Sequence, residues 1–168
     1  MKISKLFEND NIEAILKQYN ITNYTIRNNG IVDVDGDVDL SRCELTALPV
    51  KFGYVDGDFW CNNNKLKSLV GAPREVAGDF YCHYNQLTSL QGAPREVAGN
   101  FDCYNNQLTS LVGAPTEIGG SFYCHQNQLT SLQGAPREVG GWFHCHYNNF
   151  NFEPPHDFIN IGGQLVWL

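Results

Sequence analysis

The side chains best suited to chemistry in this chain recur at one fixed spacing. His125 follows His83 by 42 residues, and His146 follows His125 by 21. Imidazoles brought together can hold a metal ion, and an imidazole beside a carboxylate such as Asp102 can transfer a proton. Five of the six cysteines are also spaced 21 residues apart. They are Cys61, Cys82, Cys103, Cys124 and Cys145.

The spacing itself argues against a reaction centre. Positions one period apart are expected on neighbouring strands of a shallow sheet, whereas a catalytic group of residues needs a pocket that excludes water. Side chains on parallel strands also diverge, which suits a zinc ion poorly. We therefore predict no catalytic residue, no resident metal and no cofactor, and we expect the protein not to be an enzyme.

The cysteines are better explained as core residues. No C-x-x-C pair occurs in the chain, although that is a common spacing of thiolate ligands. The repeat spacing would tolerate a disulfide between neighbouring coils, but a reducing cytosol keeps such thiols free. Free cysteine packs as a small hydrophobic side chain, and that is the role we predict.

All of these spacings come from a 21-residue repeat. Its clearest copy is GDFYCHYNQLTSLQGAPREVA, Gly78 to Ala98. A fixed period of this length is typical of a solenoid, in which each coil buries its apolar side by stacking on its neighbours. The segment F-x-C predicts a short strand with Phe and Cys pointing inward. The Asn three residues after each Cys is expected to hydrogen-bond the turn backbone of successive coils. Related copies begin at Gly57, Gly99, Gly120 and Gly141.

An N-terminal cap is predicted over residues 1–35. Asp10 and Glu13 form the capping-box pattern D-x-x-E, which predicts a helix that ends near Tyr19 and has one apolar face. The Asn-Gly pair at 29–30 predicts the turn of a β-hairpin that leads into the first repeat.

The rest of the chain is divided into two parts. Residues 36–148 hold six copies of the repeat, of which the first is degenerate. Residues 149–168 form a degenerate last repeat, which is expected to end in a strand with an open edge.

The segment F-x-C-x-x-N-x-L of each copy matches the leucine-rich-repeat signature L-x-L-x-x-N/C-x-L. Residues 36–148 therefore resemble a leucine-rich-repeat domain of the short bacterial type. The whole chain is more similar still to phage-encoded and prophage-encoded proteins built from N-x-L-T-S-L-x-G-A-P-x-E-V-x-G-x-F-x-C. The resemblance implies a leucine-rich-repeat-like, right-handed solenoid with a parallel β-sheet on its concave face.

The resemblance also carries expectations about function. A phage-encoded protein of this kind would act in the cytoplasm of the host, where an inhibitor of a host protein is its most concrete role. Bacterial effectors with such repeats often carry a ubiquitin-ligase domain with a catalytic cysteine. We expect no such domain beside these repeats, so that activity is not carried over.

The positions that vary between copies lie outside the inward columns. Side chains alternate across a strand, so the residues flanking Phe and Cys are expected on the concave surface. Tyr, Trp and His concentrate there, and exposed aromatic residues are typical of protein-binding hot spots. Cross-strand support of the sheet is the other explanation. The predicted partner-binding residues are Asp58, Trp60, Asp79, Tyr81, His83, Tyr84, Asp102, Tyr104, Tyr123, His125, Trp142, His144, His146 and Tyr147.

The net charge of -7 limits the partners. The Lys and Arg residues are scattered, whereas a nucleic-acid or anionic-lipid surface needs them clustered. Aspartates such as Asp37 and Asp58 make the N-terminal end of the surface acidic, which would steer a protein partner with a basic surface. The histidines at the other end are expected to titrate near neutral pH.

No stretch of the sequence is long and apolar enough to span a bilayer, and the N-terminal segment lacks the apolar core of a signal peptide. We therefore expect a cytoplasmic protein that does not bind membranes.

The C-terminal strand offers a second route to function. Leu165 and Val166, with Trp167 and Leu168, continue the repeat pattern and then the chain stops. An unpaired strand edge tends to find a partner, so a homodimer through this edge is predicted as an alternative. Two functions stay open at this point: a non-catalytic protein-binding module, and a structural or assembly protein that self-associates through the edge.

Overall fold

The chain folds into a parallel β-solenoid of about six turns with a 21-residue period and one short helix at the N-terminus, as seen in a computed structural model that describes residues 11–151 and 160–166. The predicted fold class is confirmed. Each coil contributes two very short strands, and these strands build two sheets along the solenoid. No helix within the described residues is long and apolar enough to cross a membrane.

The N-terminal elements are a helix and a hairpin. Helix α1 covers residues 11–18 of the described chain. Strand β1 (Tyr24–Ile26) pairs antiparallel with β2 (Val32–Val34), as the predicted hairpin requires. Gly30 sits in the turn with φ 78°, in the left-handed region, and its N–H donates to the Arg27 carbonyl at 2.9 Å.

The first sheet, here named the Glu-Val sheet, has eight strands within the described residues, in the order β1-β2-β4-β6-β8-β10-β12-β14. From β2 onward every pairing in it is parallel. Beyond the hairpin its strands are β4 (Phe52–Val55), β6 (Glu75–Val76), β8 (Glu96–Val97), β10 (Glu117–Ile118), β12 (Glu138–Val139) and β14 (Asn160–Ile161).

The second sheet, here named the Phe sheet, has seven parallel strands in sequence order in the part of the chain that the structure describes. Identical repeat positions face each other across it, because the register places Phe80 beside Phe101 and Phe101 beside Phe122. Its strands are β3 (Val38–Asp39), β5 (Phe59–Trp60), β7 (Phe80–Tyr81), β9 (Phe101–Asp102), β11 (Phe122–Tyr123), β13 (Phe143–His144) and β15 (Leu165–Val166).

The Glu-Val sheet was not predicted. In four of the copies its strand is only two residues long, with an exposed Glu and a buried Val or Ile. A pair of residues is too short to show a period-2 pattern, so the segment after G-A-P reads as a solvated turn. The strands form because stacking places the equivalent backbone segment of the neighbouring coil within hydrogen-bonding distance.

The core between the sheets is built from columns of identical residues. Phe80 stacks on Phe59 with ring centroids 5.4 Å apart and on Phe101 at 5.2 Å, and all three side chains are fully buried. The five cysteines of the repeat are also fully buried and are free thiols. Burial raises the pKa of the Cys82 and Cys103 thiols well above the usual value, which makes them poor nucleophiles.

A ladder of asparagine side chains joins successive coils. Asn85 donates from Nδ2 to the carbonyls of Cys82 at 3.1 Å and of Cys61, one coil back, at 2.9 Å. Its Oδ1 accepts the N–H of Leu66 at 2.9 Å. One amide therefore satisfies three backbone groups that belong to two coils, as the repeat predicted. The other members of the ladder are Asn64, Asn106, Asn127 and Asn148.

The helix closes the N-terminal end of the core. Leu16 is fully buried, and Ile12, Ile15 and Tyr19 pack against the core, so the predicted apolar face is confirmed. The predicted capping box includes Asp10, which lies outside the described residues.

The ladder should carry a large share of the stability. Asn106 makes hydrogen bonds to Leu87 N and to the carbonyls of Cys82 and Cys103 at 3.0 to 3.1 Å. Asn106→Ala leaves these buried groups unpaired, and we expect a loss on the order of 3 kcal/mol in the free energy of unfolding. Urea denaturation followed by circular dichroism measures it. The control is Gln107→Ala at the next, exposed position, which should change stability by less than about 0.5 kcal/mol. Equal effects of the two substitutions would contradict the role of the ladder.

Candidate functional site

Three outward columns of the Phe sheet and its following loop form one surface, here named the aromatic face. The first column holds the residue directly after the Phe of each copy, which is the second residue of the strand. The second and third columns hold the residues three and four positions after that Phe. They hold most of the predicted partner-binding residues, and the structure brings these together as predicted. The members of the aromatic face are Trp60, Tyr81, Asp102, Tyr123 and His144, then Asn62, His83, Tyr104, His125 and His146, then Asn63, Tyr84, Asn105, Gln126 and Tyr147.

The first column consists of two short ring stacks with a break between them. Trp60 lies parallel to Tyr81 with centroids 5.9 Å apart and 2° between the ring planes. Tyr123 lies parallel to His144 at 4.8 Å and 8°. Asp102 occupies the place between Tyr81 and Tyr123, and the register pairs it with both.

The second column is an unbroken stack of four rings. His83, Tyr104, His125 and His146 follow one another at centroid distances of 4.5, 4.5 and 4.6 Å, with the planes within 9° of parallel. Offset or parallel aromatic pairs of this kind add roughly 0.5 to 1.5 kcal/mol each beyond simple burial. Because the rings cover each other's faces, this column offers ring edges and polar tips to a ligand. It is therefore poorly suited to stacking against a sugar or a nucleobase.

Two histidines of this column, His83 and His125, are neutral near physiological pH. The Nδ1 atoms of His83, His125 and His146 are buried and make no hydrogen bond. Burial lowers the pKa of His83 to about 4, and burial together with the neighbouring His146 lowers that of His125 to about 4. Of the two neutral tautomers, the one with its proton on Nε2 leaves a bare lone pair at the buried Nδ1, which costs less than a buried unpaired N–H. The expectation that the histidines at the C-terminal end titrate near neutral pH is wrong for His125, and burial lowers the pKa of His144 as well.

The third column has an unusual backbone. All of its members lie in the left-handed region, including Tyr84 at φ 51° and Tyr147 at φ 52°. Asparagine tolerates this conformation well, and Asn63 and Asn105 occupy the equivalent positions of other coils at φ 55°. Burial does not offset the backbone strain of a tyrosine at this position, since Tyr84 is 46% exposed and Tyr147 is 72% exposed. Burial therefore does not explain why these two coils have tyrosine, and within the described residues their contacts with other rings are edge contacts, such as Tyr84 with Tyr104 at 5.3 Å and Tyr147 with His146 at 4.8 Å.

Two of the predicted binding residues, Asp58 and Asp79, have a structural task. Asp58 Oδ1 accepts the backbone N–H of Asp79 at 2.7 Å, and Asp79 Oδ1 accepts that of Asn100 at 2.5 Å. A Cβ atom at Gly78 would collide with Asp58 Oδ1, which explains why glycine directly precedes Asp79. Asp79 also accepts the Tyr81 hydroxyl at 2.5 Å. These carboxylates tie coil to coil at the corner and add negative charge beside the aromatic face.

Asp102 differs from the other aspartates. Its side chain is 14% exposed, and its Oδ1 is buried without a hydrogen-bond partner. The nearest opposite partner is His83, whose Nδ1 lies 3.9 Å from Asp102 Oδ2, which is too far for a hydrogen bond. Burial, followed by the charge of Asp79, raises the pKa of Asp102 to about 7. The sequence shows only that an aspartate replaces an aromatic residue at this position. That its buried oxygen has no hydrogen-bond partner depends on the packing and could not be predicted.

The remaining predicted residues lie at the ends of the array. Trp142 is 49% exposed and lies 5.5 Å from His144, centroid to centroid. Leu165 and Val166 form β15, the last strand of the Phe sheet in the described chain, while Trp167 and Leu168 lie outside the described residues. Over residues 11–151 and 160–166, no three His, Cys, Asp or Glu side chains are grouped as a metal site requires.

Comparison of the chain with protein-family models, with curated proteins and with solved structures finds no match. The resemblance to leucine-rich-repeat proteins of phages and bacteria therefore stays a prediction from the repeat motif.

The backbone at Tyr84 leads to a stability prediction. In Tyr84→Asn the left-handed position receives the residue that other coils use there, and we expect the free energy of unfolding to stay constant or to rise by about 0.5 kcal/mol. Tyr84→Val is the matched comparison, because a β-branched residue is disfavoured at positive φ and should lose on the order of 1 kcal/mol. Urea denaturation compares them. A clear loss in Tyr84→Asn would mean that this tyrosine is needed for folding.

The raised pKa of Asp102 leads to a pH prediction. Its ordinary pKa is 3.8 and its folded-state pKa is about 7, so between these pH values the folded protein keeps a proton that the unfolded chain releases. Raising the pH through this window therefore costs stability. Asp102→Asn removes this pH dependence. From pH 4 to pH 7 the free energy of unfolding of the variant should rise relative to that of wild type, by on the order of 2 kcal/mol at pH 7.

The control for the pH experiment is Asp39→Asn. Asp39 occupies the same strand position in the first coil but is exposed. Its substitution should leave the pH dependence of unfolding unchanged. A stability difference between Asp102→Asn and wild type that is the same at every pH would show that this carboxyl is not isolated.

Proposed function

We propose that this chain is a non-catalytic binding protein and that the aromatic face is its surface for a protein partner. The observation that carries the proposal is the pair of exposed tyrosines, Tyr84 and Tyr147, held at left-handed backbone positions where two other coils have asparagine. Large residues kept at strained backbone positions are typical of functional surfaces. Tyrosine in particular supplies a rigid, amphipathic contact at low entropic cost.

The charge of the surface supports a partner with a basic side. Asp37, Asp58 and Asp79 line the corner next to the aromatic face. The histidines His83 and His125 are neutral at physiological pH and add no opposing positive charge. A basic surface would approach such a face faster than a neutral one.

The resemblance to phage-encoded repeat proteins supports a more specific version of the proposal. In it, the protein acts in the host cytoplasm as an inhibitor that covers a functional surface of a host protein. Binding alone suffices for such a role, because a repeat array presents a wide, rigid surface.

Affinity capture tests the proposal. The immobilised protein should retain a specific partner from a bacterial lysate, whereas the variant Tyr84→Asn/Tyr147→Asn should retain at least tenfold less of it, because the two tyrosines are replaced by the residue that fits their backbone. The control is Tyr54→Glu, which removes an exposed tyrosine from the Glu-Val sheet and copies the Glu75 that pairs with it in the next coil. Equal capture by wild type and the double variant would argue against the aromatic face.

A second candidate function is self-association through the C-terminal edge. Strand β15 pairs with β13 on one side, and no described strand covers its other side. An open edge of this kind can pair with the same edge of a second copy.

Light scattering tests the second candidate. Wild type should form a dimer at high protein concentration, and Val166→Lys should shift it to monomer because it places a charge on the edge strand. Val112→Lys is the control, since Val112 is exposed and lies away from the edge. A wild-type monomer at every concentration would exclude this assembly.

A further inference from the structure

The break in the first column of the aromatic face forms a notch. Tyr81 and Tyr123 lie two strands apart, with Asp102 between them in register. Neighbouring strands are about 4.8 Å apart, so the two ring planes are separated by about 9.6 Å. The aspartate side chain is shorter than a tyrosine by most of a ring. An opening is therefore left above its carboxylate, walled by one ring face of Tyr81 and one of Tyr123.

Tyr81 and Tyr123 each turn toward the notch the ring face that is not stacked on another ring of the column. The opposite face of Tyr81 is stacked on Trp60, and the opposite face of Tyr123 is stacked on His144. Both walls are held in place by these stacks. The Tyr81 hydroxyl is fixed further by its hydrogen bond to Asp79 at 2.5 Å. The notch is thus formed before any ligand arrives, which lowers the entropic cost of binding.

When Asp102 is ionised, above its pKa of about 7, the floor of the notch holds two acceptors and no donor. Asp102 Oδ1 and His83 Nδ1 are both buried and unpaired, and the nearest approach between the two side chains is 3.9 Å. Because the imidazole is neutral with its proton on Nε2, neither group can satisfy the other. Leaving buried polar groups unpaired costs about 1 to 3 kcal/mol each. Asp102 Oδ2 is not buried in this way, and a ligand with several N–H donors would reach the carboxylate through this oxygen.

A cation fits both the walls and the floor. At the centre of the notch it would lie about 4.8 Å from each ring plane, within the roughly 6 Å at which a cation is attracted to the face of an aromatic ring. The carboxylate of Asp102 would neutralise it, and Asp79 lies close enough to raise the pKa of Asp102 through its charge. A planar guanidinium suits the slot better than an ammonium, because it stacks between rings while its N–H groups donate to the carboxylate.

We propose that the notch between Tyr81 and Tyr123, with Asp102 and His83 at its floor, binds the guanidinium group of an arginine side chain of the protein partner. This inference rests on the proposed function, since the arginine belongs to a partner of the aromatic face. The notch would then be the centre of the interface, with a buried charged contact surrounded by aromatic edges. Buried arginine anchors of this type dominate the energy of many interfaces.

The site should depend on pH because the carboxyl must be ionised to bind a cation. The groups close to Asp102 are Tyr81, His83 and Asp79 on the preceding coil, Tyr104 on its own coil and Tyr123 on the following one. The charge of Asp79 raises the pKa of Asp102 and also favours the cation. Binding should therefore weaken as the pH falls from 8 to 5, since the pKa of Asp102 is about 7.

Nuclear magnetic resonance with N-acetyl-L-arginine amide as the probe tests the proposal on the full chain labelled with ¹³C at Asp and Tyr. We expect saturable shifts of the Asp102 carboxyl carbon and of the Tyr81 and Tyr123 ring signals, weaker at pH 5 than at pH 8. The neutral analogue N-acetyl-L-citrulline amide should cause none. If the lysine analogue binds as tightly as the arginine analogue, the assignment to arginine is wrong.

Two substitutions of the floor make the test specific. Asp102→Asn keeps the shape and removes the charge, and Asp102→Tyr fills the notch with the residue found in neighbouring coils; each should weaken the probe at least tenfold. Asp39→Asn, at the same position of the first coil, should bind like wild type. Unchanged binding in Asp102→Tyr, or the absence of saturable shifts in wild type, would overturn the proposal.

The probe experiment separates this inference from the proposed function. Probe binding without any captured partner would support the notch and count against the partner. Capture of a partner that persists in Asp102→Tyr, together with no probe binding, would leave the aromatic face as an interface and exclude the arginine anchor.

Discussion

The structure depends on one repeated hydrogen-bonding unit, the buried asparagine amide that joins each coil to the one before it. Asn85 bonds the carbonyls of Cys61 and Cys82 and the N–H of Leu66, so it fits only when the two coils are stacked in a single register. A slip of one residue would leave all three backbone groups unpaired in the core, at a cost of several kcal/mol per coil. Once this register is set, every other position must lie beside its own counterpart about 4.8 Å away.

Because of that constraint, the residues at one repeat position form a column along the solenoid. Columns inside the core and columns on the surface have different roles. Inside the solenoid, identical side chains such as Phe80 and Phe101 stack and exclude water. On the aromatic face the column is allowed to vary, and the rings of His83, Tyr104 and His125 still stack because neighbouring positions are the same distance apart. A departure from the column therefore has a local effect, and Asp102 shows it by interrupting the ring stack between Tyr81 and Tyr123 while the register of the coils on either side is kept.

Much of the fold could be predicted because the period, the inward Phe and Cys and the asparagine ladder are all visible in the sequence. The Glu-Val sheet could not, since two residues such as Glu96 and Val97 are too few to show a strand pattern. The members of the aromatic face could be predicted from alternation, but their burial could not, and the low pKa of His83 depends on it. The left-handed backbone at Tyr84 did leave a signal, because asparagine occupies the same place at Asn63 and Asn105. That signal becomes clear only when the backbone angles are known.

The central claim is that a protein partner covers the aromatic face, and amide hydrogen exchange of the complex tests it most directly. Exchange of the free protein would be compared with that of the protein bound to the captured partner. Our account predicts slower exchange in the segments 81–84, 102–105 and 123–126, with little change in the Glu-Val strands on the other side of the core. Protection confined to β6, β8 and β10, or to β15 alone, would contradict it and would place the interface on a different surface of the solenoid.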